Sequence, residues 1–224
     1  RPLIIMNGEK IDWFHTVIRM LMYLAGVAVL ALGMSLQTAS GLGVATLTCF
    51  ATTLSMLTGK TLGFWITATY VAYIVAQFTI LRREFQPRIL LELCFSTLIG
   101  GFTDFFMAVN PLHPAALPIQ VETMLLSLAV TAFGVSLVVN MGVVPNAPDG
   151  LVQVIAEKIK RRFGDVKVVF DCSHVAVSLV LSLALMHNLG GFGVTTAIAL
   201  FLGHVINIAN KLFAQRFVRA AFGK

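Results

Sequence analysis

The chain has 224 residues, of which 58% are hydrophobic and only 12% charged, and its mean hydropathy is +0.88. A soluble domain of this size would need far more charge to cover its surface, so the composition excludes one and points to a membrane protein. The net charge is +6, but the basic residues sit in short stretches beside apolar segments, which is a topology signal and not a nucleic-acid footprint.

Segment 6–16 is polar and amphipathic and reads as no cleavable signal. Six long apolar segments follow, at roughly 15–37, 62–82, 89–109, 119–141, 166–186 and 194–214. Each is near the roughly 20 residues that cross a bilayer as a helix. Two shorter apolar segments, 44–58 and 149–163, each follow a glycine or proline break. Cys49, Cys94 and Cys172 all lie in apolar segments and are odd in number, so they read as small buried residues and not as a disulfide framework.

Charge sets the expected topology. Arg1, Lys10 and Arg19 flank the first long segment, and Arg82, Arg83 and Arg88 separate the second from the third. Lys158, Lys160, Arg161, Arg162 and Lys167 precede the fifth, and Lys211, Arg216, Arg219 and Lys224 follow the sixth. If the two short segments do not cross, every Lys and Arg except Lys60 falls on the cytoplasmic side. If both cross, the Arg82–Arg88 loop moves outside. The expected fold is therefore an all-α integral membrane protein with six transmembrane helices plus two short re-entrant helices. Both termini are cytoplasmic, and residues 1–224 form one membrane domain. Surface-lying amphipathic helices are the other reading of the two short segments.

The chain also reads as written twice. The same 101 residues separate Gly33 from Gly134 and Gly41 from Gly142, and the Gly100-x-x-x-Asp104 pattern returns as Gly203-x-x-x-Asn207. Repeat 1 covers about 15–109 and repeat 2 about 119–214. Three spans per half is an odd number, so the halves are expected to be inverted, with the breaks entering from opposite sides. Paired interrupted segments in matching positions are the best sequence pointer to a transporter's binding site.

Candidate site residues follow from the breaks. In Asn146-Ala147-Pro148-Asp149-Gly150 the prolines interrupt the helix and leave carbonyls free, and Asp149 suits the N-cap of a helix beginning at Leu151. That motif either coordinates a solute, proton or cation, or is a capped turn. Thr46 and Thr48 occupy the matching break in the first half. Asp171, His174, Ser178 and Ser182 form one stripe along the fifth span. Asp171 with His174 reads as a proton-coupling pair, or Asp171 pairs with Lys167 four residues earlier. Asp104 and Asn207 are repeat-related and read as helix-packing groups or as part of an ion path. Tyr70, Tyr73 and Gln77 share one face of the second span, while Glu92 and Glu122 read as solvated residues near span ends. No nucleophile–base arrangement, phosphate loop or metal-ligand spacing is present, so no enzyme activity, metal or cofactor is expected.

Gly142-Val143-Val144-Pro145 with Asp149-Gly150-Leu151 resembles the Gly-x-Gly-x-x-Pro-x-Asp-Gly-Leu region of the YczE/YyaS-type bacterial integral membrane proteins, a group that looks distantly related to the YitT-type proteins. Phe170-Asp171 with Leu181-Ser182-Leu183, and Gly191-Phe192-Gly193-Val194-Thr195-Thr196 with Gly203, are similar to its later segments. Gly41–Val44 and Thr58–Gly63 are similar to its first repeat. The resemblance covers most of 17–210 and implies the bacterial cytoplasmic (inner) membrane. The family often carries Pro-x-Asp in the first repeat, where this chain has Ala45-Thr46-Leu47-Thr48, so only Asp149 remains of a symmetric acid pair. The resemblance implies a fold and no activity.

The expected function is secondary transport or export of a small solute or ion, with proton coupling as one form it could take. Its site lies between the two breaks. The alternative is a membrane interaction protein, or a subunit of a larger transport complex. The expected partners are the lipid bilayer and a small-molecule or ion substrate, with no nucleic acid. Gly100-Gly101 offers a face for a homodimer.

Overall fold

The structure is a computed structural model that describes residues 13–82, 86–112, 114–144, 146–187 and 191–199. The described residues form helices and connecting turns, with no strand among them. Five helices are long and apolar enough to cross a membrane. They are α1 (Trp13–Ser40), α3 (Leu62–Leu81), α4 (Leu91–Val109, entered through a 3-10 turn at Pro87–Leu90), α5 (Leu117–Met141) and α7 (Phe163–Met186). Two short helices, α2 (Thr46–Thr58) and α6 (Ala147–Lys158), occupy the two expected breaks, and α8 (Val194–Ala199) opens the sixth apolar segment. The remainder of that segment, with Asn207, lies outside the described residues. This is the build of a multi-pass membrane protein.

Helix ends follow local chemistry. α2 stops where Gly59 takes the left-handed conformation (φ 69°) and returns its N–H to Ser55 O at 2.9 Å. α5 stops in the same way at Gly142 (φ 57°). α6 starts two residues before the expected N-cap. Pro148 lies inside its first turn, where a missing N–H leaves no helical bond unmade. Asp149 is therefore a first-turn residue, and Asn146 holds the N-cap position without a side-chain cap bond.

The buried core draws on α1 to α6, and its closest helix pair is the seam between α1 and α5. A Cβ on Gly134 would lie 2.6 Å from Leu30 N, and one on Gly26 would lie 3.0 Å from Val138 Cγ2. The two backbones approach so closely that a methyl group would force them apart. Buried Gln37 spans the seam. Its Nε2 donates to Thr131 Oγ1 at 3.1 Å, and its Oε1 accepts from Ala45 N at 2.9 Å. At the other end Arg19 donates to Met141 O (2.9 and 3.2 Å), satisfying a carbonyl in the last turn of α5.

Each short helix packs on long helices from both halves of the chain. α2 packs on α3, α7 and α8, while α6 packs on α7, α3 and α4. The break after α1 is pinned to the start of α8. Val44 N donates to Gly191 O (3.1 Å), Thr195 N to Leu42 O (2.9 Å) and Thr196 Oγ1 to Val44 O (2.7 Å). Gly43 (φ 97°) and Gly193 meet here, and a Cβ on Gly43 would lie 2.6 Å from Gly193 N. Val168, Val169, Val177, Val180 and Leu185 leave the outer face of α7 apolar and exposed, as a lipid-facing helix requires.

Candidate functional site

The first turn of α6 carries Asp149 towards the first two turns of α7. There Lys167 and Asp171 stand one turn apart on one face. Lys167 Nζ lies 3.0 Å from Asp149 Oδ1 and 3.2 Å from Asp171 Oδ1, so one ammonium bridges two carboxylates on two helices. At 1.5 Å of rise per residue, Lys167 and Asp171 sit about 6 and about 12 Å along α7 from Phe163. The three side chains remain 24%, 39% and 17% exposed (Lys167, Asp149, Asp171).

One turn further on, His174 stands between α7 and α3. Its Nδ1 lies 2.7 Å from Phe170 O, a carbonyl that can only accept, so Nδ1 carries a hydrogen. In the neutral imidazole Nε2 is then the acceptor for the Tyr73 hydroxyl, its second partner. Both ring nitrogens are engaged elsewhere, so His174 shares no hydrogen bond with Asp171. Tyr73 and His174 are themselves 101 residues apart, the same interval as the repeated glycines. Aromatic rings line this contact. Phe170 lies 4.3 Å from the His174 ring, Tyr73 5.5 Å from both, and Tyr70 6.0 Å from Tyr73.

Behind Asp149 lies a second buried group. Glu92 is 2% exposed, which corrects the expectation of a solvated residue. The reason is its place on a buried stripe of α4 with Ser96, Ile99 and Thr103, all turned to the bundle. Gln77 Nε2 donates to Glu92 Oε2 at 2.7 Å and to Ala147 O at 3.3 Å. The space they need is supplied by Gly150 on α6, where a Cβ would lie 2.7 Å from Glu92 Oε1. Asn146 completes the entrance to α6, with its Oδ1 buried and without a hydrogen-bond partner.

The opposite crossing, of α2 with α7 and α8, is lined by hydroxyls. Ser178 Oγ lies 2.7 Å from Thr53 Oγ1, 3.1 Å from Cys49 Sγ and 3.1 Å from Cys49 O, and Thr53 Oγ1 lies 3.2 Å from Ser182 Oγ. Thr52 and Thr195 are buried there with their hydroxyls unpartnered.

Of the residues expected from sequence, Asn146, Asp149, Asp171 and His174 converge around α6 and α7. Thr46 and Thr48 are buried at the start of α2, and the Thr48 hydroxyl turns back onto Ala45 O at 2.9 Å. Asp104 stands apart from the cluster, where its Oδ1 accepts from Gly63 N at 2.7 Å and neutralises the start of α3. The Lys167–Asp171 pair was one of the expected readings, while sequence reasoning missed Glu92 and the second arm of the Lys167 bridge, to Asp149. A periodic buried face (92, 96, 99, 103) was the available signal for Glu92. Among the described residues, no three His, Cys, Asp or Glu side chains come together as a metal would need.

No curated protein and no solved structure matches the chain. One family model, described as a family of unknown function, matches residues 17–211, which takes in both breaks, the cluster and the seam. On that match the chain belongs to the family of unknown function DUF6198.

Proposed function

We propose that this protein is a secondary transporter of a small solute, not an enzyme, built from six spans and two re-entrant helices in two inverted repeats in a bacterial cytoplasmic membrane. The YczE/YyaS-type resemblance belongs to the same reading. The observation that carries it is the bridged Asp149–Lys167–Asp171 group at the mouth of α6. Ionisable groups inside apolar spans are costly and belong to functional paths. This one sits where a short interrupted helix meets the long ones, the usual place of a solute site in repeat-built transporters. The reciprocal packing of α2 on α7 and α8, and of α6 on α3 and α4, supports the repeat reading. Its two short helices exchange places between halves, and Tyr73 meets His174 where a pseudo-two-fold axis would pass.

Two-sided accessibility tests this reading. In a chain stripped of Cys49, Cys94 and Cys172, single Thr46→Cys and Ala147→Cys substitutions are labelled with an impermeant thiol reagent from each face. Both positions are at most 5% exposed here. Alternating access expects each to react from both faces over time. Reaction of each from one face only would sink the transport reading.

A second reading has its own observation. Thr61, Gly63, Thr67, Gly100, Gly101 and Asp104 line an open groove of about 420 Å³ between α3 and α4; Gly63 and Gly100 close the contact of these two helices, and Gly101, with open space around it, would let another helix approach. It supports a membrane interaction protein, and stable co-purification of a partner checks it.

A further inference from the structure

The hydrogen-bond balance around Lys167 is one-sided. Lys167 is shared between Asp149 and Asp171. The Tyr73 hydroxyl is committed to His174, the His174 Nδ1–H to Phe170 O, and the Gln77 amide to Glu92 and Ala147 O. The buried atoms left without a hydrogen-bond partner here are both acceptors. They are Asn146 Oδ1, on a side chain that lies against Tyr70, and Asp171 Oδ1, 3.2 Å from the Lys167 ammonium it shares with Asp149. Buried acceptors of this kind favour a ligand that brings donors.

Charge runs the same way. Two carboxylates face one ammonium, and a helix N-terminus offsets only about half a charge. The first turn of α6 therefore cannot turn the site into an anion cradle.

We infer that the solute taken at this site is a primary organic ammonium, and that the Lys167 ammonium is its tethered stand-in. The side chain leaves the Asp149–Asp171 pair when the solute enters and returns when it departs. The inference rests on the transport reading of the same site.

The test uses the purified full-length protein in detergent, with n-butylammonium chloride as probe and sodium n-butyrate as its anionic counterpart of equal chain length. Binding is read by calorimetry and by the shift in unfolding temperature. Butylammonium is expected to bind and stabilise, and butyrate is not. Lys167→Met removes the competitor, so Kd for butylammonium falls about ten-fold. Lys167→Arg keeps a tethered cation and stays near the native Kd, a control that holds if Lys167→Met fails to fold. Asp171→Asn loses binding. Stabilisation by butyrate, or unchanged or weaker butylammonium binding in Lys167→Met, would overturn the inference. So would an absence of butylammonium binding in the native chain. The labelling at Thr46→Cys and Ala147→Cys judges the site separately. A site that labels from both faces yet binds butyrate keeps the transport reading and loses the cation. One that binds butylammonium but labels from a single face does the reverse.

Discussion

The two crossings of short on long helices solve one packing problem with opposite chemistry. Where α6 meets α3 and α4, long polar side chains project from the long helices, Gln77 and Glu92, and the short helix answers with Gly150. Where α2 meets α7 and α8, the long helix offers the short Ser178 and Ser182, and the short helix answers with Cys49 and Thr53. Gln77 and Ser178 are 101 residues apart, and so are Cys49 and Gly150. Carboxyl chemistry is confined to one side of the pair. A neutral hydroxyl crossing suits a fixed joint, and the charged crossing is the one that lies beside the bridged Lys167.

Substitutions can break that contrast. The largest effect is expected for Gln77→Leu, which strips buried Glu92 of its amide donor. The expected loss is about 3 kcal/mol, read as a lower unfolding temperature in detergent, and a paired Glu92→Gln restores most of it. Next comes Gly150→Ala at about 2 kcal/mol, because the new methyl meets Glu92. Combining it with Glu92→Ala should give less than the sum, the mark of two residues competing for one space. Ser178→Ala on the hydroxyl side is expected to lower stability by only about 1 kcal/mol, since Thr53 keeps Ser182 as a partner. Equal losses from Gln77→Leu and Ser178→Ala would remove the asymmetry. The smallest effect belongs outside both crossings. Asp104→Asn keeps an acceptor for Gly63 N and should shift stability by about 0.5 kcal/mol or less, which distinguishes a helix cap from a charge on an ion path.

The helices were legible because their signals are local. Glycines at 41, 59 and 142 punctuate apolar runs, and α3 spans Leu62–Leu81 against an expected 62–82. The convergence of Asn146, Asp149, Asp171 and His174 was legible as well, since a broken helix and a polar stripe each stand out against apolar surroundings. What each side chain bonds was not. His174 chose Tyr73 and Phe170 over Asp171 because the Tyr73 side chain on α3 brings a hydroxyl within reach, and spacing along one helix cannot register that. Asp104 chose a backbone amide on a neighbouring helix for the same reason. Glu92 looked peripheral by its place near a helix start, yet its depth is decided by α6 lying over that end.

The packing of short helices on both halves also sets a timetable for synthesis. When α6 is made, its seats on α3 and α4 already exist, 70 residues behind at Gln77. Of the seats of α2, only the one on α3 follows at once. The partners of Cys49 on α7 come 129 residues later, which at about 5–20 residues per second is a wait on the order of ten seconds. Over that interval the buried Thr53 hydroxyl waits for its partners Ser178 and Ser182. The first break is the slow half of this molecule, and the second closes it.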